Sequence, residues 1–162
     1  MIILIGCGLF DPKPSGSLQW QKSLTQTIPA QSQQITWLAD VPAGDFSVRL
    51  TAVHQSGEPD SQYGLIIGQD DDYLAITVSP TGYVAIWQQS PVRPFAPWPH
   101  VQMGSAPNEI GLDRVNGRVT IRINREILWQ GEVAMKGEVG VFGQSWGETA
   151  VIRYPSIQLY CP

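Results

Sequence analysis

The chain has 162 residues, 43% of them hydrophobic, which suits one domain with a real core. Charged residues are only 15% and the formal net charge is −4, so there is no electrostatic basis for gripping a polyphosphate, and nucleic acid is excluded as a partner. No run of about 18 or more apolar residues occurs, and two cysteines with two distant histidines give no zinc spacing.

The chain opens Met1-Ile2-Ile3-Leu4-Ile5-Gly6-Cys7. The run Leu4-Ile5-Gly6-Cys7 resembles the lipobox of bacterial lipoproteins, in which signal cleavage leaves the cysteine as a new, acylated N-terminus. Two or more acyl chains, palmitate among them, anchor stably where one does not. The residues ahead of Cys7 are fewer than the roughly 7–15 apolar residues of a signal peptide and none is basic, so this reading expects the start to lie upstream. A Cys7–Cys161 disulfide and two free thiols are the other readings. Anchor and disulfide both place the protein outside the cytosol; the resemblance implies the extracytoplasmic face of a bacterial envelope. Residues 8–16 are mostly Gly, Pro and Ser, a tether composition. Residues 1–16 are thus read as truncated signal, lipobox and tether, and residues 17–162 as one domain.

From there on the periodicity is two, not 3.6. Strands are predicted near 17–23 and 33–38. Phe46, Val48, Leu50 and Ala52 then share one face, with Ser47, Arg49 and Thr51 on the other. A strand near 62–68 follows. Leu74, Ile76 and Val78 point one way, as do Val84 and Ile86, with Tyr83, Ala85 and Trp87 opposite. Ser79-Pro80-Thr81-Gly82 is the turn between those two strands. Residues 91–100 contain four prolines, which forbid a central strand and predict a long, stiffened loop. Strands near 108–114 and over Val119, Ile121 and Ile123 flank Asn116-Gly117, a type I′ hairpin signal. Asn124-Arg125-Glu126 closes another hairpin. Strands near 127–133, 137–143 and 149–160 complete about eleven or twelve, a sandwich or barrel pattern.

The order of these pieces resembles the concanavalin-like, laminin-G and glucanase-type jelly rolls. The residues that carry the resemblance are Asp45 to Leu50, Tyr63-Gly64-Leu65-Ile66-Ile67-Gly68, Tyr73 to Val78, Gly82 to Trp87, Asn108 to Glu126 and Gly137-Glu138-Val139-Gly140-Val141-Phe142. It implies an antiparallel two-sheet sandwich and says little about activity.

Gly143-Gln144-Ser145-Trp146-Gly147 fits the nucleophile-elbow pattern, but a strand-like segment follows it and no Asp or His comes after Ser145, so the Ser–acid–His order of that motif is impossible. Glucanases of the fold carry closely spaced carboxylates on one strand; Glu109 and Asp113 share a face, lack a third acid and sit beside Arg114. They keep a glycoside hydrolase as the alternative to a non-catalytic protein, with no catalytic residue assigned. Glu58, Asp60, Asp70, Asp71 and Asp72 form an acidic surplus that reads as a solvated loop or a structural calcium site. Arg114, Arg118, Arg122 and Arg125 around the Asn116 hairpin read as an exposed ribbon paired with Glu109, Asp113 and Glu126.

The aromatic residues are the best hint of function. Tyr73, Tyr83 and Trp87, with Arg49 and Thr77, are predicted to line one outer sheet face, roofed by Trp98 and His100. In the concanavalin-like fold that face holds sugars: rings stack on sugar CH faces while Arg, Thr and Gln satisfy hydroxyls. The same face equally suits a protein interface. Two expectations stand side by side, a lipoprotein that binds carbohydrate and an accessory subunit of a larger envelope assembly.

Overall fold

A computed structural model describes residues 12–88 and 91–162. Cys7, and with it the lipid and disulfide readings, lies outside these residues. The described residues form twelve strands: β1 (Ser17–Ile28), β2 (Ser32–Asp40), β3 (Phe46–Ser56), β4 (Gln62–Gln69), β5 (Asp72–Val78), β6 (Tyr83–Trp87), β7 (Pro91–Pro97), β8 (Asn108–Val115), β9 (Arg118–Ile123), β10 (Glu126–Glu132), β11 (Glu138–Ser145) and β12 (Ala150–Cys161). They make two six-stranded sheets, one in the order β1-β12-β3-β8-β9-β10, the other β2-β11-β4-β5-β6-β7. Every pairing is antiparallel. Among the described residues no helix is long and apolar enough to cross a membrane.

The core lies between the sheets because each strand's aliphatic alternation points there. Phe46, Val48, Leu50 and Ala52 of β3 meet Leu65, Ile67, Leu74, Ile76, Val78, Val84 and Ile86 of the facing sheet. Each is at most 2% exposed, and full burial of such a side chain contributes roughly 1.5–3 kcal/mol. Strand β4 is buried on both faces from Gln62 to Gly68, so its sequence reads as a continuous apolar run rather than an alternation.

Turn chemistry fixes the registers. Asn116 and Gly117 hold φ of 51° and 79°, and Asn124 and Arg125 hold 50° and 77°, the positive pair of a two-residue type I′ hairpin. These turns set β8 against β9 and β9 against β10. At Ser79–Gly82 the Gly82 amide donates to the Ser79 carbonyl at 3.1 Å.

The proline-rich segment departs from expectation. It is not a free loop: residues 91–97 form β7, the edge of the second sheet, paired with β6 through two irregularities. An edge strand has one row of amides that needs no partner, so prolines are tolerated and also discourage pairing with another chain. The loop after β7 crosses to β8 on the other sheet and turns inward, with Val101 buried and Trp98 packed on the main core.

Candidate functional site

The outer face of the second sheet carries a second, smaller apolar cluster. Ile66, Ala75 and Phe142 are buried there, with Ile35, Trp37, Tyr73 and Trp87 packed against them. An open groove of about 360 Å³ runs over this cluster, in the lower part of the roughly 300–1,000 Å³ range of small-ligand sites. Its walls are aromatic: Tyr73 on β5, Trp87 on β6, Phe95 on β7, Phe142 on β11, and Trp146 in the turn that follows. Trp146 is 53% exposed, a large apolar surface held in water at the rim.

The polar groups of the groove are carboxamides. Gln33, Gln144 and Gln62 fall in register across β2, β11 and β4, so they form one row. With strands roughly 4.8 Å apart, the row spans about 10 Å. Gln88 adds a fourth. Among the described lining residues there is no Asp, Glu, His, Lys or Arg.

Gln62 is held in one orientation. It is 5% exposed, and its Oε1 accepts from the Thr77 hydroxyl at 3.1 Å and from Trp87 Nε1 at 3.4 Å. An indole N–H only donates, so the atom facing it must be the oxygen, which leaves Gln62 Nε2 as the remaining donor. Burial fixes the side chain and Trp87 fixes its polarity.

Of the six predicted ligand-contacting residues, Tyr73 and Trp87 line the groove. Tyr83 stands just behind its wall, stacked on Phe95 with centroids 4.9 Å apart. Thr77 braces Gln62. Arg49, Trp98 and His100 lie elsewhere. Arg49 sits on β3, in the opposite sheet, where its Nη2 meets Asp113 Oδ1 at 2.8 Å and its Nη1 donates to the Val48 carbonyl. Period two separates the faces of one strand but does not say which sheet the strand joins. Trp98 and His100 do not roof the groove: their rings lie 5.5 Å apart in the loop after β7, with Trp98 on the main core and Arg93 above it.

The groove residues missed by sequence are Gln33, Gln62, Gln88, Gln144, Phe95, Phe142 and Trp146. Phe142 and Gln144 alternate against the core residues Val139 and Val141, a signal present in the sequence. Gln62 opens the doubly buried run of β4, where alternation vanishes.

The other chemical candidates are dispersed. Glu109 and Asp113 lie on β8, in the first sheet, four rises apart. That is about 13 Å along the strand, beyond the roughly 5–9.5 Å between paired glycosidase carboxylates. Asp113 is also engaged by Arg49 and, at 3.3 Å, by Arg122. Ser145 ends a strand that turns into β12, and its hydroxyl donates to the Glu148 carbonyl. Glu58 and Asp60 precede β4 while Asp70 and Asp71 follow it, about 23 Å of strand between them. Among the described residues no three acidic, His or Cys side chains converge as a metal site.

No protein-family model matches the chain, and no curated protein matches it. Solved structures do. A functionally unknown protein from Saccharomyces cerevisiae superposes with a TM-score of 0.62 at 10% identity, over 93% of this chain and 94% of that one. The metal-free carbohydrate recognition domain of Emp46p gives 0.60 at 8% identity over 87% of each chain. The carbohydrate-binding module CBM66 from Bacillus subtilis gives 0.56 at 10% identity, over 92% and 91%. At such identities the likeness concerns the fold, which is a concanavalin-like jelly-roll β-sandwich.

Proposed function

We propose that this chain is a non-catalytic glycan-binding module, held at the extracytoplasmic face of a membrane by a lipid on Cys7. The carrying observation is the groove on the second sheet, lined among the described residues by five aromatic rings and four carboxamides, with no carboxylate. Rings bury sugar CH faces, and each carboxamide both donates and accepts, which matches a hydroxyl. Among the described residues no acid–base or nucleophile–base pair lines that groove, which supports binding rather than general acid–base chemistry. Two structural neighbours, the Emp46p domain and CBM66, are themselves named for carbohydrate recognition, which supports the reading at the level of fold. For the anchor, the support is the Leu4-Ile5-Gly6-Cys7 run alone.

The test is intrinsic fluorescence during titration with cell-wall and storage polysaccharides. A saturable shift is expected, and Trp87→Ala weakens it roughly tenfold by removing one stacking surface. If no glycan shifts the signal and the protein instead co-purifies with defined envelope partners, it is an accessory subunit. Intact mass of the native protein checks the anchor separately: acyl additions on Cys7 are expected, and a chain beginning at unmodified Met1 removes that clause.

A further inference from the structure

We infer that the groove selects neutral sugar rings and holds them without a metal ion, with Gln62 as the donor that reads a ring hydroxyl. The inference rests on the glycan-binding reading and narrows it. An anionic sugar needs a cation to offset its lost hydration, and among the described residues no Lys, Arg or His lines the groove. A metal that bridges protein and sugar is held most strongly by carboxylates, which offset its charge, and among the described residues none lines the groove, whose oxygen ligands are neutral carboxamides.

The surroundings act in the same direction. At one end of the groove Tyr73 follows directly on Asp70-Asp71-Asp72, whose charge Lys136, facing the same turn, offsets only in part. At the other end the Glu58 carboxylate lies against Gly147, next to Trp146. The groove is thus neutral inside and negative at both ends. An anionic glycan therefore meets charge of its own sign at either end as it arrives, a repulsion that salt screens. Inside, Gln62 Nε2 is a donor that cannot exchange places with its oxygen while Trp87 Nε1 occupies the oxygen. Gln33 and Gln144, next in the row, have no such lock and adapt to either polarity of hydroxyl.

The experiment titrates the full chain by tryptophan fluorescence with neutral oligosaccharides (gluco-, manno-, galacto- and fructo-configured), and with oligogalacturonate and sialyllactose. Each series is run with EDTA and with added calcium. At least one neutral series is expected to saturate, with a Kd unchanged by EDTA and about tenfold or more below that of the anionic sugars. Gln62→Glu keeps an acceptor for Thr77 and Trp87 but replaces the donor with a charge, so it weakens neutral binding about tenfold or more. Should that variant fail to fold by circular dichroism, Gln144→Glu places a charge in the same row without touching the Thr77 and Trp87 bonds, and the same direction of change is expected. Binding that needs calcium, or that favours the anionic sugars, overturns the inference while leaving glycan binding intact. Unchanged affinity in a folded Gln62→Glu removes the reading donor. Failure of every glycan removes both the inference and the reading beneath it.

Discussion

Gly117 and Gly137 both hold positive φ, at 79° and 96°, yet a side chain would meet different surroundings at each. A Cβ on Gly117 finds nothing within 4 Å, because the β8–β9 turn stands in solvent. Gly117→Ala therefore incurs the left-handed backbone penalty alone, about 1 kcal/mol. A Cβ on Gly137 would fall on the Gly68 carbonyl, where β11 begins its pairing with the end of β4. The Gly137 carbonyl also accepts from Val41 N at 2.9 Å, which ties the same point to the segment after β2. Gly137→Ala adds a backbone collision to the dihedral cost and is expected to lose about 3 kcal/mol or more. Urea denaturation of the two variants compares them directly. Equal losses would mean that the strand start at Glu138 relaxes and that the close approach is not structural.

Between elements, the outer face of the first sheet is held by charge where the second sheet offers its groove. Asp113 on β8 receives Arg49 from β3 and Arg122 from β9, and the Ser47 hydroxyl donates to it at 2.6 Å. Ser47 in turn accepts from the Ser15 amide at 2.9 Å, so the segment leading into β1 is fastened to the same network. The Arg49 and Asp113 side chains are 10% and 14% exposed, which shields the pair from solvent. Asp113→Ala leaves two guanidinium groups without their carboxylate and is expected to destabilise by about 3 kcal/mol, read from the urea midpoint at neutral pH. A loss below about 0.5 kcal/mol would show an ordinary surface pair instead. This network also shows why the candidate site was only half legible. Alternation correctly placed Leu50 inward and Arg49 outward, as it did for Ile76 and Thr77, and Asn-Gly correctly placed a hairpin at residue 116. Strand order is not local: nothing near Arg49 states that β3 pairs with β8 and β12 while β5 pairs with β4 and β6. Tyr73 and Trp87 do share one groove because they sit on neighbouring strands of one sheet, Ala75 pairing with Trp87. The glutamine row was hidden because its members come from three strands far apart in sequence. Trp98 was misplaced because a chain leaving an edge strand turns either way, and here the apolar core drew the indole inward.

Over the whole sandwich, burial of a few titratable rings makes stability a function of pH at both extremes. His54 on β3 is 7% exposed, stacks on Tyr63 at 6.0 Å, and has no hydrogen-bond partner at Nε2 among the described residues. Burial lowers its pKa below the usual 6.5, with the Glu58 backbone hydrogen bond opposing in part. The folded state therefore holds His54 neutral while the unfolded chain takes up a proton below about pH 6.5. Its contribution is complete above that pH and is lost as pH falls through the lower folded value. Tyr63 runs the other way. Burial pushes its hydroxyl up to about 12 from the usual 10, and burial with the neighbouring Tyr63 raises Tyr154 as well. Above pH 10 the unfolded tyrosines ionise while the folded ones stay protonated, so stability falls as pH rises from 10 toward 12. The urea midpoint is accordingly expected to be flat between about pH 7 and 9.5 and to decline on both sides, by at most about 1.4 kcal/mol per pH unit for each proton. His54→Phe keeps a ring against Tyr63 and removes the titration. It should flatten the slope between about pH 6.5 and 5, above the range where carboxylates dominate, and leave the alkaline limb unchanged. An unaltered acid slope in this variant would assign the acid sensitivity to groups other than His54, and the buried imidazole would then have no part in the pH range over which the fold survives.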